Sequence, residues 1–377
     1  MEKINLDSSR FLIAEGNIRS AFAFCNDKIP FIVNTMSFWL DGEDPSVIPD
    51  DYFTNPASML DFQCRKIDWH LKNIDDDYIP FLHPWFGTVV VPSAVGGTVV
   101  YPPKLDPALK GSAISRPEQV YDLKPPDPYR DGLMPKVLEY IDYMKINSNL
   151  PICVTDTQGP LNIALSIAGV ENLFIWFYTH PDEAHHLMDF STNILIDWIK
   201  VQKKHAGIGL FDGAFPHGIK LPSEFGGVCL SDDDCTQLPA DLYNEFVVPY
   251  NSRVLKAFGG GTIHFCGTSV HQIENLLLIE GLTGVNNFCM GNFTQIYKMQ
   301  KLFADKKIFL MVCDFAPLHP ESYYNDLFQD LKVPGTFIAS FPAYSFALQN
   351  GKYEQTIRHP HEVAKEIYGI LKKKNNQ

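Results

Sequence analysis

Along the second half of the chain, short β-branched runs alternate with longer segments whose apolar positions recur at helical spacing. Pro151-Ile152-Cys153-Val154-Thr155 reads as a buried strand. Phe174 to Lys204 reads mostly as helix, with Leu187, Ile194, Leu195, Trp198 and Val201 on its apolar face and Thr179 and Asp182 suited to its start. Ile208 to Phe211 and Gly227 to Leu230 are weaker strands. Pro239 opens a helix that runs through Phe258, and Pro249 should kink it. Thr262 to Cys266 is a strand, and Ser269 with Gln272 forms a capping-box pattern for a helix ending near Gly281. Gly284 to Phe288 is a strand and Thr294 to Ala304 a helix. Lys307 to Cys313 is the clearest strand, with Ser322 to Leu331 the helix after it. Thr336 to Phe341 is the last strand and His361 to Lys374 the last helix, its Lys372-Lys373-Lys374 end matching the helix dipole.

Before this alternation the pattern differs. The first 80 residues are mixed and mainly helical. Gly87-Thr88-Val89-Val90-Val91-Pro92 reads as a first buried strand. From Gly96 to Asp131 the chain is polar and proline-rich, and long enough to be an excursion over a site. Counted from Gly87, eight strands alternate with helices, which predicts a (β/α)8 TIM barrel over residues 81–377 behind a helical N-terminal extension over residues 1–80. A doubly wound open sheet is the alternative, but no GxGxxG motif follows an early strand.

Composition narrows the chemistry. The chain is 45% hydrophobic and 20% charged, which excludes disorder, collagen and coiled coil. Its net charge is −13, and its basic residues form no dense patch, so neither nucleic acid nor an anionic membrane is expected as a partner. No run approaches the ~18 apolar residues of a membrane span. No secretory pattern opens the chain, and eight scattered cysteines without a CxxC pair read as reduced thiols, so a cytoplasmic location is expected.

In such barrels, function gathers at the C-terminal strand ends. Strand order therefore nominates Asp156, Asp232 to Asp234, His264 and Cys266, Cys289, Cys313 and Asp314, and Ser340 to Tyr344. Within His264-Phe265-Cys266-Gly267, residues two apart face the same way, so the imidazole and thiol can converge. That is half of a catalytic zinc site, with Cys313 and Cys289 on the same rim as candidates for a third ligand. The alternative is that a His and a Cys merely occupy an ordinary strand. Asp232-Asp233-Asp234 reads equally as a solvated loop in which one residue orients a ligand or a cap. His185-His186 is expected at the surface, and Cys25, Cys64 and Cys153 in the core.

Three blocks in order resemble the uroporphyrinogen decarboxylase superfamily. They are Gly159-Pro160-Leu161-Asn162-Ile163-Ala164 with Ala168-Gly169 and Thr179-His180-Pro181-Asp182; Leu230-Ser231-Asp232-Asp233 with Leu238-Pro239 and Phe246-Val247-Val248-Pro249-Tyr250; and His264-Phe265-Cys266-Gly267. The resemblance runs from about Phe81 to the C-terminus and implies a (β/α)8 barrel.

It also implies one of two chemistries. The decarboxylases bind an octacarboxylate tetrapyrrole without metal, through an N-terminal arginine motif and a tyrosine. This chain has seven arginines, Arg10 and Arg19 do not form the RxxxR pattern, and Leu165-Ser166 stands where the tyrosine is expected. A −13 chain with so few guanidinium forks suits eight carboxylates poorly.

The other branch moves a methyl group from a corrinoid protein to a thiol held on zinc by an HxC pair and a later cysteine. His264 and Cys266 match the pair, but Ile338 to Tyr344 holds no cysteine, so Cys313 is expected as the substitute. Asp156 and Asp233 are expected to orient the acceptor or hydrogen-bond behind the ligands. The resemblance thus implies zinc, a corrinoid methyl donor carried by a partner protein and a small thiol substrate, with a homodimer left open as the assembly. A decarboxylase-like lyase and a non-catalytic ligand-binding barrel are the alternatives.

Overall fold

Six strands lie parallel in one sheet: β1 (Phe31–Val33), β2 (Val228–Ser231), β3 (Gly261–Cys266), β4 (Leu282–Phe288), β5 (Phe309–Phe315) and β6 (Thr336–Phe341), in the order β1-β6-β5-β4-β3-β2. The computed structural model describes residues 4–35, 48–103, 105–214 and 218–375. Nearly every strand residue is buried, as expected of parallel strands covered by helices.

Beyond β2 the sheet continues through single parallel bridges, Ser231 to Gln158 and Ile152 to Leu82. The stretch before Leu82 then returns to β1 through one backbone bond, from the Asp77 N–H to the Phe31 carbonyl at 3.1 Å, and through side chains. Asp77 Oδ2 accepts the Phe31 N–H at 2.9 Å, and Asp76 Oδ2 accepts the Val33 N–H at 2.8 Å. The six strands and these two segments make eight parallel stretches, a (β/α)8 architecture whose full ladder covers six. The thin side has a local cause. Pro80 and Pro84 flank Leu82 and cannot donate, which leaves Leu82 to pair alone. Around Ile152, the Thr155 N–H goes to the Gln202 side chain at 2.8 Å instead of a neighbouring strand.

The helices are α1 (Ser9–Phe22), α2 (Pro56–Asn73), α3 (Val90–Ala94), α4 (Met134–Asn147), α5 (Pro160–Ala168), α6 (Val170–Thr179), α7 (Pro181–Ala206), α8 (Ala240–Phe246), α9 (Val248–Ala257), α10 (Ile273–Leu276), α11 (Phe293–Phe303), α12 (Pro320–Leu327) and α13 (Pro360–Asn375). Helix α7 shows the ordinary reasons for one. Asp182 and Glu183 sit in its first turn, Lys203, Lys204 and His205 in its last, and Gly207 ends it at φ 73°. Phe22 of α1 stacks on Phe309 at 3.9 Å between ring centres and covers the N-terminal end of the barrel. At the opposite end, the hairpin β7 (Phe346–Gln349) and β8 (Lys352–Gln355) turns at Asn350 and Gly351, both at positive φ as a two-residue hairpin requires. No single helix among the described residues is long and apolar enough to cross a membrane.

Five local expectations are corrected. The β-branched run before Pro92 is not a strand: it ends in α3, where Ser93 Oγ donates to the Val90 carbonyl and accepts the Leu133 N–H. The barrel position belongs to Leu82 instead. Ile208 to Phe211 forms a turn, with the Gly209 N–H on Asp212 Oδ2 at 3.0 Å. The long helix from Phe174 breaks at His180, where Pro181 starts a new one; the kink expected at Pro249 is there, as the division of α8 from α9 at Val247. The Ser269 capping box is absent because Gln272 Nε2 donates to the Leu238 and Cys235 carbonyls, and only one helical turn follows. Within residues 1–80, α1 and α2 flank a strand, β1, that the helical pattern concealed.

Candidate active site

Strand β3 carries the central pair. His264 and Cys266 are two residues apart and project to one side, which brings Cys266 Sγ to 3.4 Å from His264 Nε2. The third group arrives from β2. Asp232 continues that strand by donating its N–H to the His264 carbonyl at 2.8 Å, and the chain then turns at Asp233. Asp233 Oδ1 accepts the Cys266 N–H at 2.8 Å and stands 3.4 Å from His264 Nε2. Among the described residues, Asp233, His264 and Cys266 form the one group of three metal-type donors, with ligand atoms within 4.8 Å of each other.

Asp232 anchors this turn. It is fully buried, and its Oδ2 accepts from Tyr243 Oη at 2.6 Å and Asn251 Nδ2 at 3.0 Å. Burial nevertheless pushes its carboxyl up to about 7. One aspartate of the acidic run is thus a structural post, and its neighbour faces the site.

Electrostatics prepare the three groups differently. Burial lowers the pKa of His264, so the ring is neutral near pH 7. His264 Nδ1 meets Asn286 Oδ1, beside it in the ladder, and Nε2 is turned towards Cys266 and Asp233. Burial, and then the Asp233 carboxylate, push the Cys266 thiol far above its usual range. The thiol therefore keeps its proton in the metal-free site, and a cation between the two groups would let it ionise.

The other nominated residues separate into groups. Asp156 is half-buried at the end of the third parallel segment; burial, with Asp233 and Asp106 adding to it, pushes its carboxyl up to about 7. Gln158 Nε2 donates to it. Asp106 lies on the proline-rich excursion, where it accepts the Trp85 indole N–H at 2.7 Å. Cys313 is buried and outside the three-donor group; its sulfur accepts from Asn286 Nδ2 at 2.7 Å. Cys289 and Asp314 form a separate cluster with Tyr323. Ser340 lies buried in β6, and neither it nor the residues through Tyr344 join the donor group. His186 is exposed and His185 partly so, as expected, and His185 also shares a 2.9 Å hydrogen bond with Tyr250 and stacks on Phe246.

The sequence reading missed Asn286. Its only signal was a polar pair, Asn286-Asn287, between Val285 and Phe288 in a strand with both faces covered. Beside the site a cleft of about 550 Å³ opens at the same rim, lined by Thr268, Met290, Tyr323 and the β7–β8 turn.

Comparison with known proteins agrees with this architecture. Methylated-thiol–coenzyme M methyltransferase of Methanosarcina mazei is 29% identical over 255 residues, 65% of this chain, and the match spans 62% of that relative's length. A solved methyltransferase structure from Methanosarcina mazei superposes with a TM-score of 0.65 over 94% of this chain and 97% of that one, at 14% identity, which shows a shared fold. The family model described as uroporphyrinogen decarboxylase (URO-D) matches residues 82–311, from the Leu82 bridge to the start of β5 and across the whole donor group. That match covers more than half of the sequence, and the chain belongs to the uroporphyrinogen decarboxylase (URO-D) family.

Proposed function

We propose that this protein transfers a methyl group from a corrinoid carrier to a small thiol activated on zinc. The observation that carries the reading is the convergence of Asp233, His264 and Cys266 with the histidine already neutral and turned to offer Nε2. Nitrogen, sulfur and oxygen donors of these kinds suit zinc, and three protein ligands leave one position for a substrate. In this reading Asp233 takes the ligand place expected of Cys313. The Methanosarcina mazei relative, named a methylated-thiol–coenzyme M methyltransferase, supports methyl transfer as the class of reaction.

Zinc bound there would keep a substrate thiol as its thiolate at neutral pH. In the reaction, a sulfur–carbon bond forms as the carbon–cobalt bond breaks; the bonding pair stays on cobalt, and the thiol proton goes to a base. Asp156, with its carboxyl near 7, is matched to that proton at neutral pH. The corrinoid would arrive on a partner protein.

The test is a metal analysis joined to an assay of thiol-dependent demethylation of methylcobalamin. About one zinc per chain is expected, lost together with activity in His264→Ala. Sub-stoichiometric zinc that His264→Ala leaves unchanged would overturn the proposal.

A further inference from the structure

We infer that Asn286 is a positioning residue that sets the tautomer of His264 and thereby makes the donor group competent to hold a metal ion. This rests on the zinc reading above. Asn286 is only 1% exposed, in the middle of β4 and in direct register with His264. An amide at that depth is costly unless both its ends are matched. Nδ2 donates to Cys313 Sγ at 2.7 Å, and Oδ1 faces His264 Nδ1.

The two contacts are coupled. With Nδ2 committed to the Cys313 sulfur, Oδ1 is what the imidazole meets, and an acceptor there requires the proton on Nδ1. The lone pair then sits on Nε2, 3.4 Å from both Cys266 Sγ and Asp233 Oδ1. If the amide were turned over, Nδ2 would face Nδ1, the ring proton would move to Nε2, and an N–H would fill the place of a metal ion. Cys313 thus meets the far end of the amide that meets the histidine.

A purely structural role for Asn286 makes a different prediction, which separates the two. Asn286→Asp keeps an acceptor against Nδ1 but buries a charge, so it should be the least stable form in urea. Asn286→Ala removes the acceptor at a smaller cost in stability. The readout is the affinity for cobalt(II), measured against a competing chelator and followed by thiolate-to-cobalt absorption. The alanine variant is expected to bind about 10- to 100-fold more weakly than wild type, and the aspartate variant within about threefold of it. Affinity that follows the order of stability, or an alanine variant that binds like wild type, overturns the inference.

Should neither variant fold, 15N–1H spectra of the metal-free wild type decide. A proton on Nδ1 of His264 supports the inference, and a proton on Nε2 overturns it. A wild type without any absorption band that Cys266→Ala removes overturns the zinc reading, and this inference with it.

Discussion

Two clusters on the same rim pair an aspartate with a cysteine, and they are built in opposite senses. At the ends of β4 and β5, Asp314 accepts the Met290 N–H at 2.6 Å, the Gly291 N–H at 3.0 Å, the Cys289 thiol at 3.0 Å and the Tyr323 hydroxyl. Donors surround one acceptor, and the group is closed. At the ends of β2 and β3, the acceptor atoms of Asp233 and His264 converge on Cys266, whose backbone N–H and thiol hydrogen are the donors among them. There the acceptors are in excess, and something positive is wanted. The residue types are almost the same in the two places. The direction of the hydrogens separates a cluster that holds a loop from one that can hold an ion.

Breaking the open cluster should give the largest effect. Cys266→Ala or Asp233→Asn should weaken zinc binding by more than the ~100-fold typical of an outer hydrogen-bond partner. Metal-free stability should fall by only about 1 kcal/mol, the worth of one hydrogen bond; chelator competition and urea unfolding check both halves.

Breaking the closed cluster should do the reverse. Asp314→Ala leaves buried donors without an acceptor and should lower the unfolding free energy by about 3 kcal/mol. Zinc affinity should not change, and an equal loss of zinc would show that the two clusters are one unit.

Asp156 tests a carboxylate that belongs to neither cluster. Its carboxyl is pushed up to about 7, so the base form grows as pH rises through that value, and the wild-type rate should rise with it. Asp156→Asn should lower the rate about 100-fold and remove that limb of the pH profile. Cys289→Ser should have the smallest effect, about 1 kcal/mol in unfolding, with the hydroxyl still donating to Asp314.

Much of the barrel was legible because buried parallel strands announce themselves as apolar runs. The strands at 261–266, 282–288, 309–315 and 336–341 lie within a few residues of their expected limits. The count of eight was reached by a less secure route. Two expected strands are absent, while β1 and the Leu82 segment were overlooked. Leu82 sits between prolines and pairs alone, so no run of residues marks it. The Val89-Val90-Val91 run carries a strand signal, but the Ser93 contacts with Val90 and Leu133 hold it as a helix end. Tertiary contacts overrode propensity there.

For the site, the spacing of His264 and Cys266 was enough by itself, because alternate residues of a strand share a face. The part of Asp233 was visible only as membership of an acidic run, and Asn286 had no pattern at all.

The sequence by itself determined a parallel α/β barrel, an acidic chain and a histidine–cysteine pair at a strand end. These follow from periodicity, charge and the geometry of a single strand. Only the tertiary structure decided which carboxylate completes the pair, that Cys313 stands behind Asn286, and that Asp314 is closed off by its own donors. Those facts depend on register between strands far apart in the chain and on where each hydrogen points, and neither is written in the order of residues along one strand.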